Sequence, residues 1–221
     1  MYKFLLVTFL SLSATFSIKA QKAPNKQSIT SFATVQFPAK PTVLDTLGVR
    51  TFHYADSLAD YIVTVKDMTE MKGFQLKFEN LDDFYDGVKK GTLEASKGTL
   101  TSQKPFTIAG LKGSELIYTI PNPDLPNLGF KRMLFVEGLA ISIDFITYSE
   151  DDQQTKASRE TFFNSLSFTG DPKLLKQETI ASTDELANGF AYQLGRVTGY
   201  VLIILLVIWV IKRLTRKKIR A

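Results

Sequence analysis

His53 is the only histidine in this chain of 221 residues, and it is the first candidate for chemistry. An imidazole can carry a proton near neutral pH or bind a metal, but a zinc site or a Ser-His-Asp triad needs further partners. The chain has no cysteine and no second histidine to complete a zinc site. We therefore expect a structural or exposed histidine, with no metal site.

Two motifs near residue 85 begin like functional sites and stay incomplete. Residues 82–87, DDFYDG, start like a calcium loop, which needs oxygen ligands at alternating positions. The third, ninth and twelfth positions carry other side chains: Phe84, Lys90 and Leu93. Tyr85 and Lys89 have the spacing of a reductase pair, but no glycine-rich phosphate turn accompanies them. We therefore expect the acids of residues 82–87 to form a solvated helix start. We expect Tyr85 and Lys89 to lie on an ordinary helix surface.

No other motif supplies a nucleophile with a base. A GxSxG elbow and a P-loop are both missing from the sequence. Glu150, Asp151 and Asp152 could act as paired acids only if one lay in an apolar pocket, and they sit at a polar helix start. The sequence therefore predicts no catalytic residue, no cofactor and no enzyme activity.

The elements that would position any site follow from hydrophobic periodicity. Alternation predicts a hairpin at 49–55 and 60–67, and an amphipathic stripe predicts a helix from Asn80. Four more strands and a closing helix that opens at Ser149 follow, the strands at 98–106, 114–121, 130–138 and 139–149. This order predicts an α+β fold in which helices cover one antiparallel sheet.

A family resemblance accompanies this order of elements. The segments VQFPAKP, DYIVTV, DDFYDGV, GLKGSELIYT, FVEGLAISIDF and FFNSLSF together resemble the PsbP-like fold over residues 33–168. The resemblance implies an α-β-α sandwich that docks on larger partners without a shared active site. Proteins with this fold include a plant photosystem II subunit, a nuclear import factor and a bacterial envelope protein. The membrane helix predicted here departs from the plant and nuclear members, so their partners are not carried over to this chain.

The two ends of the chain read as targeting and anchoring segments. Residues 1–20 are typical of a signal peptide, and residues 199–214 are typical of the core of a transmembrane helix that borrows neighbouring residues to span the bilayer. Between them we expect a flexible segment at 21–32, the domain at 33–168, a linker at 169–183 and a juxtamembrane helix at 184–198. A basic tail, 215–221, ends the chain.

Charge predicts the orientation in the membrane. Residues 21–189 carry 18 of the 27 basic residues and all 22 acidic ones, so the exported part is acidic. Six basic residues follow the apolar run: Lys212, Arg213, Arg216, Lys217, Lys218 and Arg220. The positive-inside rule puts them in the cytoplasm and the domain outside, in the periplasm of a bacterium. So short a basic tail beside a bilayer favours lipid contact over nucleic acid.

Two further features are candidates for contacts. Small residues recur every four positions before the apolar run, at Ala187, Ala191, Gly195 and Gly199, a spacing that suits close helix packing with another membrane protein or in a homodimer. The loop 121–129, PNPDLPNLG, is a candidate partner loop through four of its residues: Pro121, Pro123, Asp124 and Pro126.

The sequence thus favours a single-pass membrane protein whose extracytoplasmic domain binds other proteins without catalysis. The partner would be a membrane or envelope protein, or a membrane protein complex. The alternative is an envelope hydrolase or a carrier of small ligands with a pocket over the sheet. A deep cleft with converging acids would favour this alternative.

Overall fold

Antiparallel strands make up most of the structure. The computed structural model describes residues 25–46, 48–71, 73–121, 126–148, 152–179 and 191–196. The strands are β1 (Asn25–Ser28), β2 (Ala33–Phe37), β3 (Thr42–Thr46), β4 (Val49–Ala55), β5 (Ala59–Asp67), β6 (Thr99–Ile108), β7 (Leu111–Thr119), β8 (Leu128–Val136), β9 (Leu139–Thr147) and β10 (Ser167–Phe168). The helices are α1 (Leu81–Ser96) and α2 (Gln153–Asn164), with 3-10 turns at Phe78–Asn80 and Pro172–Leu174 and a helical stretch at 191–196.

Seven strands form one antiparallel sheet in the order β3-β4-β5-β9-β8-β7-β6. The predicted tight turn between β8 and β9 is confirmed, because Glu137 and Gly138 both have positive φ, at 51° and 73°. β5 and β9 pair along nine positions, from Ala59↔Thr147 to Asp67↔Leu139. This central pair is buried on both faces, and its buried residues include polar ones: Asp60, Thr64, Ser142, Asp144 and Thr147.

A second, three-stranded sheet joins β1, β2 and β10. The sequence predicts a flexible segment at 21–32, but residues 25–28 pair with residues 34–37. On β2, the side chains of Ala33, Val35 and Phe37 point into the core. β1 pairs with one edge of β2, and β10 pairs with the other. The paired β1 is short and largely polar, so it lacks the apolar alternation that reveals a strand.

The large sheet has a core on each face. On the first face, the small sheet and α2 cover a cluster that includes Phe37, Tyr61, Phe145 and Phe162. On the second face, α1 and residues 191–196 cover a cluster that includes Phe84 and Phe135. The α+β class and the antiparallel sheet are confirmed. The first covering layer differs from the expected helix layer, because strands supply part of it.

The closing helix begins three residues later than the sequence suggests. Asp152 caps α2, and its carboxylate accepts a hydrogen bond from the backbone N–H of Thr155 at 2.8 Å. Phe162 and Phe163 are buried as the pattern predicts, but Ala157 is exposed. A single alanine carries little information about which helix face is buried.

Residues 170–179 lie along the domain as a strap, where the sequence predicts a linker over 169–183. The backbone N–H of Glu137 donates to the carbonyl of Lys176 at 2.8 Å, and Thr179 and Leu76 exchange hydrogen bonds at 2.7 Å. The buried side chain of Gln177 anchors the strap further. The polar composition of this segment predicts solvent exposure, and its backbone and amide groups find partners in the domain instead.

Candidate docking surface

A buried ion pair lies on the second face of the large sheet. Lys131 and Asp144 are opposite each other on β8 and β9, with 2.7 Å between Nζ and Oδ1. The hydroxyl of Ser142 accepts a hydrogen bond from Lys131 Nζ at 2.8 Å and donates one to Asp144 Oδ2 at 2.7 Å. Lys131 and Asp144 are both 0% exposed. The trio is therefore closed to any substrate and acts within the core.

Tyr118 lies beside this trio. Its ring covers Gly129, where a Cβ atom would come within 2.5 Å of Tyr118 Cζ. Burial, and then the charge of Asp144, raises the pKa of Tyr118 well above its usual value. The phenol is therefore neutral at physiological pH, and its hydroxyl has no hydrogen-bond partner in the part of the chain that the structure describes.

His53 makes a hydrogen bond to a neighbouring strand. Its Nε2 lies 2.7 Å from Oδ1 of Asp60, which is 1% exposed. Within the described ranges, Asp60 is the only hydrogen-bond partner of this histidine, so no hydroxyl nucleophile joins the pair. The geometry is that of a structural contact between β4 and β5. Within the same ranges, no three His, Cys, Asp or Glu side chains lie close enough together to hold a metal ion.

Tyr85 is a core residue, which corrects the expectation that it lies on a helix surface with Lys89. It is 2% exposed, and its hydroxyl donates to the carbonyl of Lys112 at 2.9 Å and accepts from the N–H of Phe135 at 3.1 Å. Lys89 contacts Asp86 at 2.7 Å instead. The pair separates because Tyr85 lies on the stripe that faces the sheet.

Tyr85 shares this place with a residue of the strap. Gln177 accepts from the N–H of Lys112 at 2.7 Å and donates to the carbonyls of Lys112 and Phe135 at 2.7 and 2.9 Å. The pairing of β7 with β8 stops at Gly113↔Leu134, so these side chains replace the next rung of the ladder. We call this place the β7–β8 fork.

The small-residue ridge contacts α1 of the same chain. A Cβ atom on Gly195 would come within 2.2 Å of the Val88 carbonyl oxygen, and one on Gly91 within 2.2 Å of the Tyr192 carbonyl oxygen. Ala191 is 0% exposed in this contact. Ala187 and Gly199 lie outside the described residues. Sequence reasoning missed the matching ridge on α1, whose small buried residues also recur every four positions: Gly87, Gly91 and Ala95.

The other predicted contact residues are only partly placed. In the loop after β7, Pro121 is exposed and Pro126 is buried, while Pro123 and Asp124 lie outside the described residues. All six basic residues of the tail and the apolar run at 199–214 also lie outside them. Among the helices that the structure does describe, none has the length and apolar character needed to cross a membrane.

Among the described residues, a small opening lies under α1, over the sheet, where the hydrolase or carrier alternative would need a pocket. Its wall is mostly apolar, with hydroxyl groups from two residues and no carboxylate or imidazole: Thr64, Phe84, Val88, Met133, Leu134, Ala140, Ile141, Ser142 and Leu194. Converging acids, which would favour a hydrolase, are therefore not part of this wall.

The β3 edge of the large sheet is exposed. All five residues of β3 are exposed, and it pairs only with β4 among the described strands. Its two apolar side chains are among the most exposed in this part of the chain, with Val43 at 49% and Leu44 at 39%. β3 itself contains no lysine and no proline. An edge with these properties offers free backbone donors and acceptors to another strand.

The β6 edge is built differently. Its register shifts between Leu100 and Ser102, and it contains Lys104 and Pro105. A bulge, a lysine and a proline each hinder the addition of another strand. Lys104 is also engaged, with its Nζ 2.9 Å from Oε1 of Glu115. The two edges therefore differ, and only the β3 edge lacks these obstacles. The sequence could not reveal this difference, because strand order decides which strands are edges.

Comparisons with known proteins give likenesses of fold. No protein-family model matches the chain, and no curated protein matches it. Solved structures that it is similar to include the cyanobacterial PsbP protein (CyanoP) of Synechocystis sp. PCC 6803, with 16% identity and a TM-score of 0.49 over 72% of this chain and 99% of that one. Another is the protein PA94 of Pseudomonas aeruginosa, with 11% identity and a TM-score of 0.38 over 64% and 94%.

Proposed function

We propose that this protein is a noncatalytic docking module that binds another protein by adding a strand at the β3 edge. The observation that carries the proposal is the exposure of all five β3 residues in a strand without lysine, proline or bulge. Strand addition obtains affinity from main-chain hydrogen bonds and specificity from alternate side chains. Val43 and Leu44 point to opposite faces and would supply that specificity.

The rest of the domain acts as a rigid support for this edge. β4 pairs with all five residues of β3 and with β5, and β5 lies in the double-sided core. The predicted anchor at 199–214 would hold the domain outside the cytoplasmic membrane, with the basic tail in the cytoplasm. The partner is then a membrane or envelope protein within reach of the bilayer surface.

A photocrosslinking experiment in intact cells tests the proposal. A photoreactive amino acid at Val43 should give a discrete crosslinked product, whereas the same group at exposed Thr101 on the β6 edge should give none. A second change, Leu44→Lys, should remove the product because a lysine blocks pairing at an edge. Leu100→Lys is the matched control and should leave it intact.

Two results would contradict strand addition at β3. One is equal crosslinking from Val43 and Thr101, which would show nonspecific proximity. The other is a Val43 product that persists in the Leu44→Lys variant, which would show a contact that does not depend on the edge. A small-molecule adduct on a photoreactive group beside the opening under α1, in place of a protein product at Val43, would favour the ligand-carrier alternative.

A further inference from the structure

We infer that the strand added at the β3 edge is β3 of a second copy of this chain. The inference rests on the proposed function and names its partner. Two copies related by a two-fold axis would place their β3 strands side by side and antiparallel, which is how an isologous interface forms at a sheet edge. A second copy also carries the same predicted anchor, so it satisfies the requirement for a membrane partner.

One face of β3 is symmetric about Leu44. Thr42, Leu44 and Thr46 lie on the same face, because strand residues alternate and these three are opposite His53, Thr51 and Val49 of β4. With the axis at Leu44, each Leu44 lies opposite its counterpart and each Thr42 lies opposite the partner's Thr46. Threonine pairs and apolar pairs both stabilise directly opposed strands.

The other face of β3 carries its only charged residue, Asp45. Val43 and Asp45 lie there, and in the same register each Val43 is opposite the partner's Asp45. Asp45 Oδ2 is 3.7 Å from Nε of Arg50 on β4, so its charge has a partner within the chain. The two carboxylates do not lie directly opposite each other, and β3 carries no basic residue. The register therefore brings no like charges directly opposite each other, and the two Asp45 residues lie on a diagonal of about 7–8 Å.

The size of the contact predicts a weak dimer. Only five residues of each strand would be covered. The area buried by so short a contact is well below the total of about 1,200 Å² that a stable interface buries. Anchoring in one membrane raises the effective concentration of the two strands, as linking does for two binding modules. We therefore expect dimers in membranes at native density and monomers in dilute detergent.

The absence of cysteine allows a direct test of the register, because each introduced thiol is the only one in the chain. Full-length Leu44→Cys should form a disulfide-linked dimer when membranes are oxidised, since directly opposed residues lie about 5 Å apart. Val43→Cys should stay monomeric, because the two copies of residue 43 lie on a diagonal of about 7–8 Å. Membranes that contain both Val43→Cys and Asp45→Cys chains should again form dimers. Leu100→Cys on the β6 edge should form none.

The outcomes separate this inference from the proposed function. A monomeric Leu44→Cys chain, together with a Val43 photocrosslink to a different protein that Leu44→Lys removes, would overturn the self-pairing and leave strand addition standing. Dimers from Val43→Cys alone would overturn the register. Absence of both the disulfide and the photocrosslink would overturn both proposals.

Discussion

At the scale of residues, the trio of Lys131, Asp144 and Ser142 fits the core only because its charges are paired. An ion pair that is 0% exposed loses the hydration of both charges, and the mutual attraction and hydrogen bonds recover part of that cost. The pair also makes the register of β8 and β9 costly to change, because a slip of one residue would put Lys131 and Asp144 on opposite faces of the sheet, each without its partner.

Breaking this pair should be much more costly than replacing it. We expect Lys131→Met to lower the free energy of unfolding by about 3–5 kcal/mol, because Asp144 is left charged and buried. The double variant Lys131→Met with Asp144→Leu should regain most of that loss. Lys104→Met, which removes an exposed lysine, should cost about 0–1 kcal/mol. Urea denaturation measures all three, and equal losses in the single and double variants would contradict the argument.

Glu115 should contribute to the acid sensitivity of the fold. Burial raises its pKa, but hydrogen bonds from Arg132 and Lys104 outweigh burial and hold the pKa below the usual 4.5. Because the folded pKa is lower than the unfolded one, the stabilisation is complete above pH 4.5 and is lost as the pH falls below it. Glu115→Gln should therefore flatten the loss of stability below pH 4.5 in urea titrations. Glu160→Gln, at an exposed position, should leave that loss unchanged. If stability falls equally steeply below pH 4.5 in both variants, Glu115 does not have this role.

Single residues also show where sequence reasoning reached its limit. His53 is predicted to be structural or exposed, because composition removes the partners of a metal or catalytic site, and the structure places it against Asp60. The spacing of apolar residues places Tyr85 on the core-facing stripe of its helix, but its role in joining β7 to β8 was not predictable. Its role depends on the carbonyl of Lys112 and the N–H of Phe135, which are 27 and 50 residues away.

At the scale of elements, the contact between α1 and residues 191–196 depends on glycine. The backbones approach so closely that a Cβ atom on Gly91 or Gly195 would overlap the opposite helix. The four-residue spacing in the sequence indicates close packing of a helix. The partner, α1, could be recognised only from a second ridge with the same spacing.

Gly91→Val should detach residues 191–196 from α1. We expect faster hydrogen exchange of the amides at 191–196 and a loss of about 1–3 kcal/mol, the usual cost of overpacking. Lys90→Val is the control, because it places the same β-branched side chain on the exposed side of α1. Unchanged exchange at 191–196 in the Gly91→Val variant would show that the contact does not hold this stretch.

The β7–β8 fork should depend on the strap. Gln177→Ala removes three hydrogen bonds and leaves backbone groups of Lys112 and Phe135 without that partner. We expect a loss of about 1–3 kcal/mol by urea denaturation, which is typical of unsatisfied buried polar groups. Gln153→Ala, at an exposed position of α2, should be near neutral. Equal stability of the two variants would show that the amide does not close the fork.

Strand β3 shows why the candidate site was not predictable. β4 has the same bounds in the prediction and the structure, because its β-branched and aromatic residues mark a strand. All five residues of β3 are exposed, so no periodicity marks the strand. Pairing with β4 places it, and its position at the end of the strand order leaves it open. Neither fact is local in sequence.

At the scale of the whole molecule, the orientation in the membrane can be tested with single cysteines. Ser31 is exposed on the domain, and Ala221 ends the predicted cytoplasmic tail. We expect an impermeant maleimide to label Ser31→Cys in intact spheroplasts and Ala221→Cys only after lysis, because the basic tail resists export. The unmodified chain, which has no cysteine, is the blank. Labelling of Ala221→Cys in intact spheroplasts would reverse the topology.

The strap also bears on how this protein could be shed from a cell surface. Cleavage between residues 169 and 174 would not release an intact sheet, because Gln177 and Thr179 would stay with the fragment that carries the predicted anchor. The soluble fragment would keep an open seam between two strands and would unfold and be degraded sooner than the parent. Shedding of the domain by cleavage at this point would therefore shorten the lifetime of the released fragment.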